Sequence, residues 1–368
     1  MIRLLLLVFS LWFSLSVHAH KASDSFIYVY ADKIRLDIAL EDMQRLQSFD
    51  LNGDSLLTWG ELRAGESQFR ALLRETVRLK RRGGDCPILF RLDGLTEHSD
   101  GSYAAWSLDA ACLHETDELT LSYSLLFDID PLHRALVAVN VGEGKTLLSS
   151  DLVQRDEHVQ LSVLSPASPQ LVLGNITAWT TALKFSKEGA IHLVLGYDHL
   201  MFLLALLLPV TRQRGKTPLR TVLAEVAGIV TMFTLAHSLT LVSASLGWFS
   251  LPSQPVEIGI ALSISFAALL VLFNVSAVFQ RRLAMSVGLL HGFGFAGVLA
   301  GMLSASPMKL VALGSFNLGI ELAQLAVVLV VLPLLYYLAA SQFYQRRLLP
   351  LTAIGLAVCG VFMAWQRF

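Results

Sequence analysis

Two periodicities divide the chain. Apolar and polar positions alternate in Phe26–Tyr30, Lys33–Leu40, Glu118–Leu126, Arg134–Val141 and His158–Leu164, the period-two pattern of strands with one buried face. A small β-sandwich is the expected packing. Between the early and late strands, Trp59–Arg82 reads as helical, ending in the basic run Arg-Leu-Lys-Arg-Arg before Gly83-Gly84, a solvated helix terminus followed by a C-cap glycine. From about residue 188 the alternation gives way to apolar runs of bilayer length, at about 188–209, 221–246, 256–279, 283–304, 309–340 and 349–366, which predict six transmembrane helices. The fifth run is long enough to be tilted, or broken near Gly314–Asn317.

The amino terminus adds a targeting signal. Arg3, an apolar stretch through Phe13 and the small-x-small triplet Val17-His18-Ala19 have the form of a secretory signal peptide over residues 1–19. Residues 20–185 then read as an exported, mainly β domain with a helical insert, and residues 186–368 as a polytopic membrane domain. The Lys/Arg bias of the short loops agrees: Arg212, Arg214, Lys216 and Arg220, then Arg281 and Arg282, then Arg346 and Arg347 fall in alternate connections. By the positive-inside rule these are cytoplasmic and the β domain lies outside, on an inner (plasma) membrane. Cys86 and Cys112 both lie in the exported part, where oxidising conditions permit a disulfide. Cys359, inside an apolar run, packs as a small hydrophobe.

Composition sharpens the class. Hydrophobic residues make up 54% of the chain and charged residues 15%, with a mean hydropathy of +0.58, against roughly a quarter charged in a soluble domain. A purely soluble enzyme is excluded. The formal net charge of −1 provides no basic surface for phosphates, so nucleic acid is not a partner; the lipid bilayer and a metal ion are the expected ones.

Within the exported insert, Asp50, Asn52, Asp54, Leu56 (through its carbonyl), Thr58 and Glu61 stand at positions one, three, five, seven, nine and twelve of an EF-hand-like loop, 50–61, which suits calcium. Ser55 occupies the place where such a loop wants glycine, and the alternative reading is a polar turn leading into a capped helix. His98, His114, His133 and His158 show no ligand spacing and read as surface or loop residues.

The membrane runs contain groups that avoid lipid: His192, Asp198, His199, Glu225, His237, Glu257, His291, Asn317, Glu321 and Gln324. Ionisable side chains facing hydrocarbon are costly, so these face the bundle interior. Counting 1.5 Å per residue from the outer ends puts Asp198, His199, His237, His291 and Glu321 about 15–18 Å down, near the middle of the bilayer. His192, two turns before His199, and Asn317, one turn before Glu321, form steps toward that level, with Glu257 at the outer mouth. Imidazoles joined by carboxylates select nickel, cobalt or zinc over calcium and magnesium. The expected metal site is therefore His192, Asp198, His199, His237, His291, Asn317 and Glu321.

The segments HLVLGYDHLMF (His192–Phe202), TMFTLAHSLTL (Thr231–Leu241), VEIGIALSIS (Val256–Ser265), GLLHGFGFAG (Gly288–Gly297) and FNLGIELAQ (Phe316–Gln324) resemble the HupE/UreJ family of hydrogenase- and urease-accessory membrane proteins, in its longer branch with an exported amino-terminal domain. The resemblance implies an inner-membrane protein with nickel or cobalt uptake as its activity. Two features depart from short members of the family: His192 precedes Leu193 rather than proline, and His291-Gly292 is followed by Phe-Gly-Phe.

Two functional classes follow. The first is a permease for a divalent transition metal, nickel or cobalt foremost, without a nucleotide-binding signature. The alternative is an intramembrane zinc-dependent hydrolase, with the same histidines on zinc, Asp198 or Glu321 as base, and Ser238 orienting substrate.

Overall fold

The computed structural model describes residues 23–30, 33–46, 53, 57–81, 84–98, 101–114, 119–140, 159–173, 176–211, 217–246, 248–249, 251–273, 276–300 and 307–367. The signal-peptide segment 1–19, His158, loop residues Arg212, Arg214 and Lys216, and the calcium candidates Asp50, Asn52, Asp54 and Leu56 lie outside these residues.

The amino-terminal part is β-rich. In chain order its elements are β1 (Asp24–Val29), β2 (Ile34–Ala39), α1 (Leu40–Leu46), α2 (Trp59–Ala64), α3 (Glu66–Thr76), β3 (Val77–Arg81), β4 (Gly84–Cys86), β5 (Leu89–His98), β6 (Gly101–Asp109), β7 (Leu119–Tyr123), β8 (Arg134–Asn140), β9 (Val159–Leu164) and β10 (Gln170–Leu173). They form a six-stranded sheet, β5-β6-β2-β1-β8-β9, and a four-stranded sheet, β10-β7-β3-β4. Within the large sheet β1 and β8 run parallel, Phe26 opposite Leu136.

The alternation explains the sandwich. Ile27, Ile34, Leu36, Ile38, Ala135 and Val137 of the large sheet meet Val77, Leu79, Leu121 and Tyr123 of the small one, with Trp106 and Phe69 stacked at 5.6 Å in the same core. A disulfide joins Cys86 to Cys112, with Cα atoms 6.2 Å apart.

The helical insert differs from the expected single helix over Trp59–Arg82. It ends α2 at Gly65, restarts as α3, and becomes strand β3 at Val77. Val77 and Leu79 are buried while Arg78 and Lys80 are exposed, so the basic run is one face of a strand paired with β7. A five-residue alternation beginning at a β-branched residue outweighed the helical pattern before it.

The carboxy-terminal part is helical: α4 (Ala178–Leu195), α5 (Tyr197–Val210), α6 (Leu219–Ser245), α7 (Ser253–Leu270), α8 (Ala277–Ala300), α9 (Pro307–Leu338), a π-turn (Tyr344–Leu348) and α10 (Leu349–Gln366). Among the described residues four helices are long and apolar enough to cross a membrane: α6, α7, α9 and the π-turn with α10. The count reaches five if the bent pair α4 and α5 is one span. The fourth expected run is α8, whose side chains beyond residue 294 lie outside the described residues.

The bend of one of these helices corrects an expectation, and the continuity of another decides between two. The run 188–209 is not one straight helix, because α4 and α5 meet at 69°. Gly196 leaves helical geometry there (φ −76°, ψ 96°), and a Cβ at that position would press on the His192 carbonyl and His199 Nδ1. The run 309–340, conversely, is unbroken near Gly314–Asn317. Gly319 serves contact instead: a Cβ there would overlap the Ser186 carbonyl of α4, and small residues let helix backbones approach this closely.

Opposite ends of the helices carry different chemistry. At one end Tyr336 donates to the Thr217 carbonyl (2.7 Å) and Tyr344 to Thr211 Oγ1 (3.4 Å), alongside Arg220, Arg281, Arg282, Arg346 and Arg347. Toward the other the β-sandwich docks. Phe26, Tyr103, Leu136, Ala138, Leu161 and Val163, on the face of the large sheet turned away from the sandwich core, cluster with Phe185 and Leu193 of α4 and Phe316 and Ile320 of α9. The strands β1 and β8 are thus buried on both faces.

Polar contacts lock this junction. Thr181 donates to the Leu161 carbonyl (2.7 Å), Lys184 to Ser162 Oγ (3.2 Å) and Ser165 to Glu188 Oε1 (2.7 Å). Glu188 also pairs with Arg134, both side chains less than a tenth exposed. Arg134 donates in addition to the carbonyls of Pro131 (3.1 Å) and His133 (2.7 Å).

Removing one member of such a pair strands a buried charge. Arg134→Ala or Glu188→Ala should therefore lower the stability of the purified full-length protein by about 3–5 kcal/mol. The double variant Arg134→Leu/Glu188→Leu should melt closer to wild type than either single change does.

Candidate functional site

The sequence between α4 and α9 brings four histidines to one place. His192 lies one turn beyond Glu188 on the docked α4, and the bend at Gly196 starts α5 beside it, so His199 faces back toward His192 with ring centres 4.9 Å apart. His199 lies 5.2 Å from His291 of α8 and 6.5 Å from His237 of α6. The close approach of α6 and α8 that this requires is set at Gly292, where a Cβ would overlap Thr240 Oγ1 and the His237 carbonyl.

Hydrogen bonds orient these rings. His291 Nδ1 donates to the Val287 carbonyl (3.0 Å). Asn317 Nδ2 donates to the Leu313 carbonyl (2.9 Å), which turns its Oδ1 toward His237 Nδ1, 3.1 Å away. Both rings are thereby protonated on Nδ1 and present the Nε2 lone pair, the tautomer that metal-binding histidines adopt when a second residue orients them. Asn317 acts here as the orienting group. His237 Nε2, His291 Nε2 and both ring nitrogens of His199 are buried without a hydrogen-bond partner. Buried polar atoms are seldom left so.

The acids distribute differently from the expected single site. Asp198 is turned to Arg367, just past α10, whose Nη2 donates to its Oδ2 at 2.8 Å. Glu257 faces the same guanidinium, 4.0 Å from Nε. Glu321 sits one turn beyond Asn317 and accepts from Thr231 (2.8 Å), and Gln324 accepts from Thr234 (2.8 Å). The structure therefore brings His192, His199, His237, His291 and Asn317 together, continues them with Glu321 and Gln324 along the α6–α9 contact, and holds Asp198 and Glu257 in a separate ion cluster.

Depth changes with the bend. His237, His291 and Asn317 lie about 12–15 Å from the sandwich-side ends of α6, α8 and α9 at 1.5 Å per residue, but His199 is only about 3 Å from the start of α5.

As the rings are placed, no three His, Cys, Asp or Glu side chains among the described residues converge on one point suited to an ion. Their spacing is nevertheless compatible with one. A tetrahedral ion about 2.1 Å from each imidazole nitrogen separates ring centres by about 5 Å, near the 5.2 Å of His199–His291 and below the 6.5 Å of His199–His237.

In the β-rich domain, Thr58 and Glu61 form a capping box at the start of α2: Glu61 Oε2 accepts from Thr58 N (2.9 Å) and Oγ1 (2.7 Å). Of the histidines read as surface or loop residues, His133, in the loop before β8, is buried, and the His98 side chain is largely shielded. His98 bonds Asp37 (3.0 Å) and stacks on Phe26 at 4.4 Å. His133 lies between Ser23 Oγ (2.7 Å from Nδ1) and Tyr123 Oη (2.9 Å from Nε2). Burial pushes His133 down to about 3, against the opposing pull of Asp130, and burial likewise raises Tyr123. Single histidines carry no periodic signal, and their burial comes from strand pairing distant in sequence.

Because His133 takes up its proton more readily unfolded than folded, its neutral form stabilises the domain above about pH 6.5, and that contribution is lost as pH falls toward 3. The stability gap between wild type and His133→Gln, measured by denaturant titration, should accordingly narrow steadily between pH 7 and pH 4.

The architecture defines a class: a multi-pass helical membrane protein with a β-rich head docked on its first helix and a buried histidine cluster beneath. Residues 168–367, more than half of the chain, match the HupE / UreJ protein family, and the chain belongs to it. No curated protein and no solved structure matches the chain.

Proposed function

We propose that the protein is a permease for a divalent transition-metal ion, nickel or cobalt foremost, which it takes through the histidine cluster. The observation that carries this reading is the set of four buried ring nitrogens without partners on His199, His237 and His291. Neutral imidazole nitrogens favour this class of ion, and the HupE / UreJ family is associated with nickel or cobalt accessory or transport function. His192 lies on the sandwich side of the cluster, and Glu321 and Gln324 continue it toward the arginine-bearing end, which supports passage. The arginines mark that end as cytoplasmic, so the β domain is assigned to the outside.

The hydrolase alternative gains no support. Ser238 donates to the Thr234 carbonyl (2.7 Å), Asp198 is tied to Arg367, and Glu321 accepts from Thr231.

In cells given cobalt or nickel, His199→Ala and His237→Ala should each abolish accumulation at unchanged protein abundance, and elemental analysis should find the metal in purified wild type but not in His199→Ala. Normal uptake by both variants would refute the permease. Asn317→Ala, which frees the His237 ring without removing a ligand, should weaken binding about 10–100-fold.

A calcium role for Asp50, Asn52, Asp54, Leu56, Thr58 and Glu61 is a separate proposal. Calorimetry should register calcium binding at about 0.1–1 mM, lost in Glu61→Gln; absence of heat at millimolar calcium rejects it.

A further inference from the structure

Three helix ends meet where Arg367 lies. Its Nη2 donates to Asp198 Oδ2 at the start of α5 (2.8 Å), its Nη1 donates to the Glu257 carbonyl near the start of α7 (2.7 Å), and its Nε stands 4.0 Å from Glu257 Oε2. The arginine side chain is 8% exposed, whereas those of Asp198 and Glu257 keep 20% and 19%. A cation arriving at this end therefore meets the carboxylates before the guanidinium. The next residue after Asp198 is His199, whose two ring nitrogens lie buried without a partner.

The guanidinium is held but not saturated. Arginine carries N–H donors on three nitrogens, and here Nε is buried without a hydrogen-bond partner, since 4.0 Å is an ion-pair distance and not a hydrogen bond. A structural clamp between α5, α7 and α10 would be expected to use that donor. A charge that must leave is better held by fewer bonds.

We propose that Arg367 is a tethered cation gating entry to the histidine cluster. It neutralises Asp198 while no ion is present, and an incoming divalent ion displaces it, taking Asp198 as its first ligand before reaching His199. A doubly charged ion competes for the carboxylates more strongly than a monovalent one, so the same exchange rejects sodium and potassium. No covalent or redox step is involved. This gate rests on the permease reading and adds to it a residue that selects by charge.

The test is equilibrium dialysis of the full-length protein in detergent with cobalt(II) at fixed ionic strength, comparing wild type, Arg367→Gln, Arg367→Lys and His199→Ala. Without its internal competitor, Arg367→Gln should bind cobalt about tenfold more tightly than wild type. Arg367→Lys, whose single ammonium cannot span both partners, should bind about two- to threefold more tightly, and it carries the test if Arg367→Gln does not fold. Cobalt affinity unchanged or weakened in whichever variant retains the wild-type melting temperature overturns the gate. If His199→Ala loses cobalt while the Arg367 variants match wild type, the gate alone fails; if His199→Ala binds like wild type, the cluster itself is not the metal site.

Discussion

Glu188 is the residue on which the arrangement of the site depends. It is buried between the β-sandwich and α4, paired with Arg134 and bonded by Ser165. Two charges this poorly solvated persist only where geometry and extra hydrogen bonds compensate the loss of water, so the pair favours one register of α4 against β8 and β9. Everything beyond follows from that register: His192 one turn on, the bend at Gly196, and α5 starting with His199 turned inward.

Helix contact then completes the cluster. Lipid offers helices little hydrophobic reason to associate, so close packing at small residues sets their distance. Gly319 lets α9 lie against α4 and brings in Asn317, while Gly292 lets α8 lie against α6 and brings His291 toward His237. The rings of His237 and His291 are turned by neighbouring acceptors, and each leaves Nε2 without a hydrogen-bond partner. Asp198 and Glu257 are drawn instead to Arg367, which keeps that charged group apart from the ring nitrogens.

Much of this was legible in the residues. Alternation identified the strands β1, β2, β7, β8 and β9, because successive side chains of a strand point to opposite faces; in β1 and β8 the second face is buried as well, against the helices. Bilayer-length runs identified most of the membrane helices for the same kind of reason. The buried histidines of α4, α5, α6 and α8 were recognisable because a polar group inside an apolar run has few places to go. The signal failed where it was local but the cause was not: β3 looked like the end of a helix until its pairing with β7 is known, and His98 and His133 carry no pattern that reveals burial.

What the sequence by itself determined was therefore composition and period: a β-rich domain, a membrane domain and the side chains that must avoid lipid. Tertiary structure decided which of those side chains meet. Asp198 and His199 are adjacent in sequence, yet one turns to an arginine nearly the length of the membrane domain away in sequence and the other to histidines on two further helices. Neighbours in a chain share a backbone but not a direction, and the directions here are set by one bend and by the closeness of helix contacts, which depend on several segments at once.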